Sequence, residues 1–466
     1  MGRKKIIILI ILIISFLLRL VNLNQSFWLD EAAQMIESVR PLKEQFDLAA
    51  DFHPPLYHIL LYFWLKLGTS EIFARLPQVL MGTFSVFLLY KIAGLLKYKS
   101  EAFVAALLLA VSPYHIYYSQ EVRPYMLFTA LSLISSYLFL KQEILFFTLI
   151  NILLLYTNYF AFFLLLGQLF VAKIFFPNFF FKVLKSQIIA VLFFLPWLPN
   201  LFRQLQVGFS GALTGWTDVV SEKVVKVVPL TLAKFIIGKA SFDNNLLYAL
   251  ILFPSVLSFA VSCWSVRKIK NGRILLAYFL TPFLIIFFIS VFFPLVAPQR
   301  LIFLLPFFYL IIASNNVVPF KKIYLPKIVV VLLTSLMGLS LYYLNPRFQR
   351  ENWRQSVEWI NKVKKDEPLV VFAFPEPFAP FIWYNRGYLN GIGVARDFRI
   401  ENKNIPELTN QFSAYDEIYY YNYLSDLTDP DKKVLSVLSS GGFRKVQVKD
   451  FPGVGFIYRY EKQPFN

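Results

Sequence analysis

Two adjacent acids, Asp30 and Glu31, are the first residues of the chain whose type and position suit catalysis. They follow the first long apolar run, so the chain should have just crossed a membrane when it reaches them. Carboxylates at the edge of a bilayer are costly unless water, a cation or a substrate compensates them. A carboxylate among aromatic and apolar groups is also a better base than a solvated one. With Glu121, which follows a later apolar run, they are our candidate catalytic residues.

Basic and polar residues that suit an anionic ligand fall in the same predicted outer segments. The guanidinium of arginine offers several donors to a phosphate. A base that takes a proton from a hydroxyl, together with cations that hold a departing phosphate, suffices for group transfer from a phosphate ester. Arginines near span ends also commonly extend to lipid phosphates, which is the simpler interpretation of two of these residues, Arg75 and Arg300. The candidate substrate-binding residues are His53, Arg75, Arg123, Tyr125 and Arg300.

Metal-binding patterns are weak in this sequence. It has three histidines without a His-x-x-x-His pair, and its single cysteine, Cys263, falls inside an apolar run. A metal site built from histidine or cysteine is therefore not expected. We predict no metal ligands and no certain cofactor, although a divalent cation held by carboxylates is compatible with the acids.

Composition places most of the chain in a membrane. The 466 residues are 57% hydrophobic and only 16% charged. The net charge of +18 is uneven, because residues 345–466 carry 17 basic and 15 acidic residues, leaving 29 basic and 13 acidic residues before them. Basic residues are expected in short cytoplasmic loops, so the charge favours a membrane protein over nucleic-acid binding.

The elements that must position the candidate residues are about eleven transmembrane helices in residues 1–344. Nearly every basic loop falls on one side, which predicts a cytoplasmic N terminus and an external C terminus. Residues 22–71 form a first outer loop with a short interfacial helix at Leu56–Leu67, and residues 202–245 form a long outer segment with an amphipathic stretch at Val219–Ile237. Lys182 and Lys185 mark the inner side. The predicted spans are Ile6–Val21, Ile72–Leu96, Ala102–Tyr117, Met126–Leu140, Ile144–Tyr156, Phe160–Phe176, Ile188–Leu201, Leu246–Trp264, Ile274–Phe293, Leu301–Ala313 and Ile328–Leu344.

Residues 345–466 have the composition of a soluble α/β domain, which the topology places outside the membrane. Helices are predicted at Asn352–Lys365 and, as a helix or loop, at Phe378–Arg386. Strands are predicted at Leu369–Phe374, Glu417–Tyr423, Phe443–Val448 and Gly455–Tyr460. The domain has no phosphate-binding loop and no dinucleotide fingerprint.

Several short motifs, in order, resemble those of the GT-C membrane glycosyltransferases, specifically the family 39-like group. That group includes protein O-mannosyltransferases, lipid A aminoarabinose transferases and bacterial galacturonosyl transferases. The resemblance is dense over residues 1–130 and sparse afterwards. The matching stretches are Trp28-Leu29-Asp30-Glu31-Ala32, His53-Pro54-Pro55-Leu56-Tyr57, Phe73-Ala74-Arg75-Leu76-Pro77, Ser112-Pro113, Tyr118-Ser119-Gln120-Glu121-Val122-Arg123-Pro124-Tyr125, Arg300-Leu301-Ile302-Phe303-Leu304-Leu305-Pro306 and Asn352-Trp353-Arg354.

The resemblance implies an inverting glycosyltransferase of the cell membrane. Its donor would be a polyprenyl-phosphate-linked sugar, and its acceptor a lipid, glycan or protein at the periplasmic or external face. Asp30 would be the general base, with Glu31 supporting it or binding substrate. Glu121 matches a second acidic position, and Arg123 or Arg75 would lie near the donor phosphate.

Three other interpretations remain open from the residues alone. Asp30 and Glu31 could simply begin the helix near Ala32, where acids are favoured. A transporter or flippase of a lipid-linked sugar would place acids near the bilayer midplane in broken helices, often in repeated halves, which this sequence does not show. A non-catalytic assembly scaffold would tolerate the loss of Asp30.

Overall fold

The computed structural model describes residues 2–48, 51–209, 224–293, 296–314, 321–396, 398–401 and 405–463. Their contacts divide the chain into two units. The core unit comprises the described residues within Met1–Leu23, Arg40–Ser210 and Asp218–Phe348. The C-terminal unit comprises those within Asn24–Val39 and Gln349–Asn466.

The core unit is built from apolar helices, as its composition predicts. Among the described residues, five helical stretches are long and apolar enough to cross a membrane, and a bent pair would make a sixth. Its α-helices are Arg3–Leu20, Leu56–Leu65, Glu71–Leu95, Glu101–Ala110, Pro113–Ser119, Tyr125–Lys141, Ile144–Leu155, Ala161–Phe175, Pro177–Phe194, Leu198–Phe209, Val224–Ile237, Asn245–Val266, Lys270–Ser290, Leu305–Ala313 and Lys321–Leu344. Short 3₁₀ helices cover Leu42–Phe46, Leu195–Trp197, Pro298–Leu304 and Pro346–Phe348.

One predicted span is broken. The sequence predicts a single helix over Ala102–Tyr117, whereas the structure has Glu101–Ala110 and Pro113–Ser119 bent by 57°. The Ser112 hydroxyl accepts a hydrogen bond from the backbone N–H of His115, and Pro113 occupies the first helical position. Both features start a new helix, because proline needs no intrahelical donor there.

Arg19 of the first helix stabilises this break. Its fully buried guanidinium donates to the carbonyl of Ala110 at 3.1 Å, to the Ser119 hydroxyl at 3.1 Å and to Ser15 at 2.7 Å, and its Nη2 lies 2.7 Å from Nδ1 of His115. The Ala110 carbonyl, near the end of its helix, thus has a partner. Gly82, on the helix Glu71–Leu95, leaves room for the Ser119 hydroxyl and for Nε of Arg19, which a Cβ there would overlap and crowd.

Two further predictions about the core unit need correction. The span predicted at Ile188–Leu201 begins earlier than expected, because Pro177 begins the helix Pro177–Phe194, which contains Lys182 and Lys185. The predicted outer segment begins within the helix Leu198–Phe209. Of the amphipathic stretch Val219–Ile237, the structure shows the helix Val224–Ile237, and the first residues of the stretch lie outside the described residues.

The C-terminal unit contains the predicted α/β fold. Its five strands are β1 (Leu369–Phe372), β2 (Asn390–Gly393), β3 (Glu417–Tyr421), β4 (Phe443–Phe451) and β5 (Gly455–Lys462), in the order β2-β1-β3-β5-β4. β1 pairs in parallel with β2 and β3, and β5 runs antiparallel to β3 and β4. The helices of this unit are Leu29–Ser38, Trp353–Val363, Ala379–Asn385, Ile405–Ser413, Ser425–Thr428 and Lys433–Ser440.

The sheet is buried on both faces around β3. Ile418 and Tyr420 join one core cluster, while Tyr419 and Tyr421 join another, as the alternation of a strand requires. The three consecutive tyrosines are therefore packing residues. β2 was not predicted, because its Asn-Gly-Ile-Gly sequence lacks the β-branched and aromatic residues that mark strands.

The segment Asn24–Val39 packs within the C-terminal unit, whereas the sequence-based division placed it in the membrane domain. Its helix Leu29–Ser38 packs against the helix Ala379–Asn385. Fully buried Phe27 contacts the rings of Trp383 and Tyr384, with centroids 6.0 and 6.4 Å away. Hydropathy describes how apolar a segment is and not where it packs, so composition could not reveal this arrangement.

Candidate active site

Asp51 is the centre of a buried polar cluster in the core unit. Its Oδ1 lies 2.6 Å from Nδ1 of His53, and its Oδ2 lies 2.8 Å from Nε2 of His58. The guanidinium of Arg123 reaches the same carboxylate, with Nη1 3.7 Å from Oδ2. The Asp51 side chain is only 6% exposed, so these groups interact away from bulk water.

The environment of Asp51 keeps it ionised. Burial alone would raise the pKa of its carboxyl, but His53, Arg123 and His58 hold that pKa well below its ordinary value. Burial also lowers the pKa of His53 from 6.5, against the opposing effect of the Asp51 carboxylate. The His53 ring is therefore neutral at pH 7, beside a charged Asp51–Arg123 pair.

The contact with Asp51 also assigns the tautomer of His53. A carboxylate oxygen only accepts, so the 2.6 Å contact places the hydrogen on Nδ1 and leaves Nε2 as the proton acceptor. Nη2 of Arg123 lies 3.2 Å from the same Nδ1. The His53 side chain is 16% exposed, so a ligand can reach part of the ring.

Neighbouring elements fix the loop that carries Asp51 and His53. After Pro54 and Pro55 the chain begins the helix Leu56–Leu65, and the first N–H of that helix donates to the carbonyl of Tyr156 at 3.0 Å. This helix brings His58 back to Asp51. Prolines suit this position, since the first turn of a helix needs no backbone donors.

Gln204, on the helix Leu198–Phe209, holds the backbone of the same loop. Its Nε2 donates to the carbonyls of Leu48 and Asp51, at 2.7 and 2.6 Å. The Tyr159 hydroxyl donates to Oε1 of Gln204 at 2.5 Å, and Trp197 donates to that hydroxyl at 2.9 Å. The loop is thus fixed by side chains from two distant helical regions.

A second group of candidate residues adjoins Arg123. Arg300 lies within electrostatic range of both Arg123 and Tyr125. The Tyr125 ring packs edge-on against Tyr118, with centroids 4.9 Å apart, and Tyr118 is also within electrostatic range of the buried Glu121. The structure therefore gathers His53, Arg123, Tyr125, Arg300 and Glu121 into one region of the core unit.

Arg75 does not have the position expected of an arginine that extends from the end of a span to lipid phosphates. Its side chain is buried, so it does not extend to lipid phosphates. Its Nη1 donates to the carbonyl of Leu23 at 2.8 Å, just after the first helix ends. This contact gives Arg75 a role in fixing the exit of the first helix.

Asp30 and Glu31 lie in the C-terminal unit, in the first turn of the helix Leu29–Ser38. Both acids therefore lie at the start of a helix, as one interpretation of the sequence expects, and negative charge is favourable there. Asp30 is half-buried and Glu31 fully buried. Asp30 lies within electrostatic range of Glu351 and Tyr423, two residues of the C-terminal domain.

Four residues that organise these regions are not among the candidates named from the sequence: Asp51, His58, Gln204 and Glu351. Asp51 and His58 had a usable signal, because they flank His53-Pro54-Pro55 in a short stretch that contains two of the three histidines. Gln204 and Glu351 had no such signal in the sequence, because each forms hydrogen bonds with a segment far away in the chain.

The donor set at Asp51 bears on the predicted divalent cation. Carboxylate and imidazole groups suit Zn²⁺ and related ions. Both Asp51 oxygens, however, already lie within hydrogen-bond distance of imidazole nitrogens, so a cation bound there would have to displace one of these contacts. The divalent cation compatible with the sequence stays a prediction without an assigned site.

Comparison with known proteins agrees with the resemblance found in the sequence. Residues 52–202 match the family model described as dolichyl-phosphate-mannose-protein mannosyltransferase. No curated protein matches the chain by sequence.

Two solved structures show the fold. ArnT from Cupriavidus metallidurans, solved in the apo state and bound to undecaprenyl phosphate, has a TM-score of 0.59 and 11% identity, covering 100% of this chain and 99% of its own. An oligosaccharyltransferase from Archaeoglobus fulgidus, solved in complex with Zn and sulfate, has a TM-score of 0.54 and 11% identity, covering 97% of this chain and 72% of its own. These similarities confirm the predicted fold class, a helical membrane protein with a small C-terminal sheet domain: the chain has the fold of the GT-C glycosyltransferases.

Proposed function

We propose that this protein is an inverting glycosyltransferase that moves a sugar from a polyprenyl-phosphate-linked donor to an acceptor at the outer face of the cell membrane. The observation that carries the proposal is the fold match to ArnT from Cupriavidus metallidurans, which extends over the whole of both chains. That protein is solved with undecaprenyl phosphate bound. A core of the same fold, with the partly buried arginines Arg123 and Arg300, is suited to hold a lipid-linked phosphate.

The reaction needs one base and a site for the leaving phosphate. Asp30 takes the proton from the acceptor hydroxyl as its oxygen bonds to the anomeric carbon of the sugar. The bond between that carbon and the phosphate oxygen breaks on the opposite face, and its electron pair leaves with the polyprenyl phosphate. Arg123 and Arg300 stabilise the departing phosphate, because positive charge and fixed donors favour the charge that develops there. His53 binds the substrate beside them, with Nε2 accepting a hydrogen bond from a hydroxyl.

The remaining candidates support these two tasks. Glu31, buried beside Asp30 in the same helical turn, orients the base or contacts the acceptor. Glu121 and Tyr125 contact the sugar, and Arg75 fixes the end of the first helix. The acceptor is a lipid, a glycan or a protein. The basic loops of the sequence support a periplasmic or external position for the C-terminal domain.

The test is sugar transfer by the purified protein in lipid nanodiscs and proteoliposomes. Radiolabelled sugars on polyprenyl phosphate are offered with membrane extracts as acceptors. Asp30→Asn keeps the shape of the side chain and removes the base. Asp431→Asn is the matched control, since Asp431 is 71% exposed in the same unit.

We expect transfer by the wild type and by Asp431→Asn, and a loss of at least about 100-fold in kcat for folded Asp30→Asn, the range typical of general bases. Equal transfer by Asp30→Asn would remove Asp30 as the base. Absence of transfer by the wild type, with movement of the lipid-linked sugar across the proteoliposome bilayer, would replace the proposal with the flippase interpretation.

A further inference from the structure

The residues just before Asp30 are held by the start of the C-terminal domain. Four hydrogen bonds within the C-terminal unit each join one residue of Asn24–Phe27 to a residue beyond Gln349. They are Arg354 Nη2 to Asn24 O at 3.2 Å, Arg350 N to Gln25 Oε1 at 2.9 Å, Ser26 Oγ to Glu351 O at 2.5 Å and Phe27 N to the Tyr384 hydroxyl at 2.7 Å. Four consecutive residues are therefore tied to one domain.

The side chain of Glu351 is fixed just as firmly. The Trp353 indole donates to its Oε2 at 2.7 Å, and the Tyr423 hydroxyl donates to its Oε1 at 2.9 Å. Trp353 is fully buried and Tyr423 is 8% exposed, so neither donor has much freedom to turn away. The Glu351 carboxylate consequently has one orientation.

Glu351 and Asp30 are neighbouring acids in this unit. Burial raises the pKa of Glu351, the two hydrogen bonds oppose that effect, and Asp30 adds to it. Charged or polar groups within electrostatic range of Glu351 are Asp30, Arg350, Trp353 and Tyr423. A carboxylate fixed by two donors beside a second carboxylate limits the positions that the second can take, because the like charges repel.

We propose that Glu351 is a positioning residue for Asp30, so that the C-terminal domain orients the catalytic base. Its backbone carbonyl anchors Ser26, its carboxylate lies within electrostatic range of Asp30, and Trp353 and Tyr423 fix that carboxylate. The proposal rests on the proposed function where it concerns catalysis. Its structural part, the fixing of residues 24–39 by Glu351, can be tested without any activity.

Glu351→Gln is the first test variant, and Tyr423→Phe, which removes one hydrogen bond and keeps the Glu351 charge, is the second. Glu358→Gln is the control, because Glu358 is exposed on the helix Trp353–Val363. Two readouts are measured on the full-length protein in nanodiscs. One is amide hydrogen exchange over residues 24–39, and the other is the kinetics of sugar transfer.

In Glu351→Gln we expect faster exchange over residues 24–39 and a fall in kcat of about 10- to 100-fold, the cost of a base misplaced by about 1 Å. KM for the donor stays within about twofold, because Glu351 does not bind the donor. Tyr423→Phe shows smaller changes in the same direction, and Glu358→Gln shows none. A fall in kcat with equal exchange, or a rise in KM without a fall in kcat, would contradict positioning.

The two proposals fail in different ways. Unchanged exchange and unchanged kcat in both variants, with active wild type, would overturn the role of Glu351 and leave the glycosyltransferase intact. Faster exchange in both variants, with a wild type inactive towards every donor, would support the fixing of residues 24–39 and overturn the proposed function. If Glu351→Gln does not fold, Tyr423→Phe decides the question by the same two readouts.

Discussion

Replacing Asp51 by asparagine tests whether the buried cluster is essential to the core unit. The substitution keeps the shape of the side chain and removes the charge that faces Arg123. Loss of one partner from a buried ion pair costs about 3–5 kcal/mol. The amide oxygen of asparagine still accepts one hydrogen bond, worth about 1 kcal/mol, so the expected loss is about 2–4 kcal/mol.

Asp47 provides a matched control in the same loop region. It also pairs with an arginine, Arg203, at 3.0 Å, but the Asp47 side chain is 63% exposed. An exposed pair contributes about 0–1 kcal/mol. Taking about 2 °C per kcal/mol, Asp51→Asn should lower Tm by about 4–8 °C and Asp47→Asn by at most about 2 °C.

The assay uses the only cysteine of the chain. Cys263 lies in the helix Asn245–Val266 and is partly buried, so a thiol-reactive dye reports unfolding of the core unit on heating. The protein is compared in one detergent at one scan rate, because unfolding of such proteins is commonly irreversible. Equal shifts for Asp51→Asn and Asp47→Asn, within about 2 °C, would refute the claim that burial makes the Asp51 cluster important.

Three further predictions concern the core unit. Gly82→Ala should destabilise the protein by about 1–3 kcal/mol, because a Cβ there would overlap the Ser119 hydroxyl and approach Nε of Arg19 to 3.0 Å. Gly94→Ala in the same helix, with open space around it, should be neutral or stabilising, and the same cysteine assay compares the two variants. Acidification below pH 6.5 should destabilise the wild type, because the pKa of His53 is lowered in the folded state and the unfolded chain then binds more protons. The variant His53→Asn should therefore make Tm less dependent on pH between about 7.5 and 5.5. An unchanged slope of Tm against pH would argue against a buried neutral ring. Arg123→Lys should lower kcat/KM for the donor about 10- to 100-fold, because a charged hydrogen bond is lost. Arg203→Lys, at an exposed arginine, should leave kcat/KM unchanged. Equal kcat/KM values for the two variants would remove Arg123 from the phosphate site.

Hydropathy predicted the helices of the core well and their ends less well. The helix Glu71–Leu95 lies within one residue of its predicted bounds, since a long apolar run can satisfy its backbone in a membrane only as a helix. The break at Ser112-Pro113 was missed, although proline at a helix start was visible in the sequence. An apolar run continues across that break, so hydropathy alone counts one helix.

Local chemistry likewise identified the candidate residues but not their partners. The types and order of His53, Glu121 and Arg123 were sufficient to name them. Their association with Asp51 depends on how the loop folds back from the helix Leu56–Leu65 and on the amide of Gln204. Neither contact follows from spacing, because the groups belong to separate helices.

By itself the sequence determined that the chain is a helical membrane protein with an α/β domain at its C terminus, and which acids and bases could act. These properties follow from apolar run length, strand alternation and side-chain type, all of which are local. Tertiary structure alone decided that Asn24–Val39, with Asp30, packs in the C-terminal unit, where Ser26 bonds to Glu351, and that Asp51 lies at the centre of the buried cluster with His53 and His58. Such contacts join residues distant in the chain through packing and hydrogen bonds, and no local pattern records them.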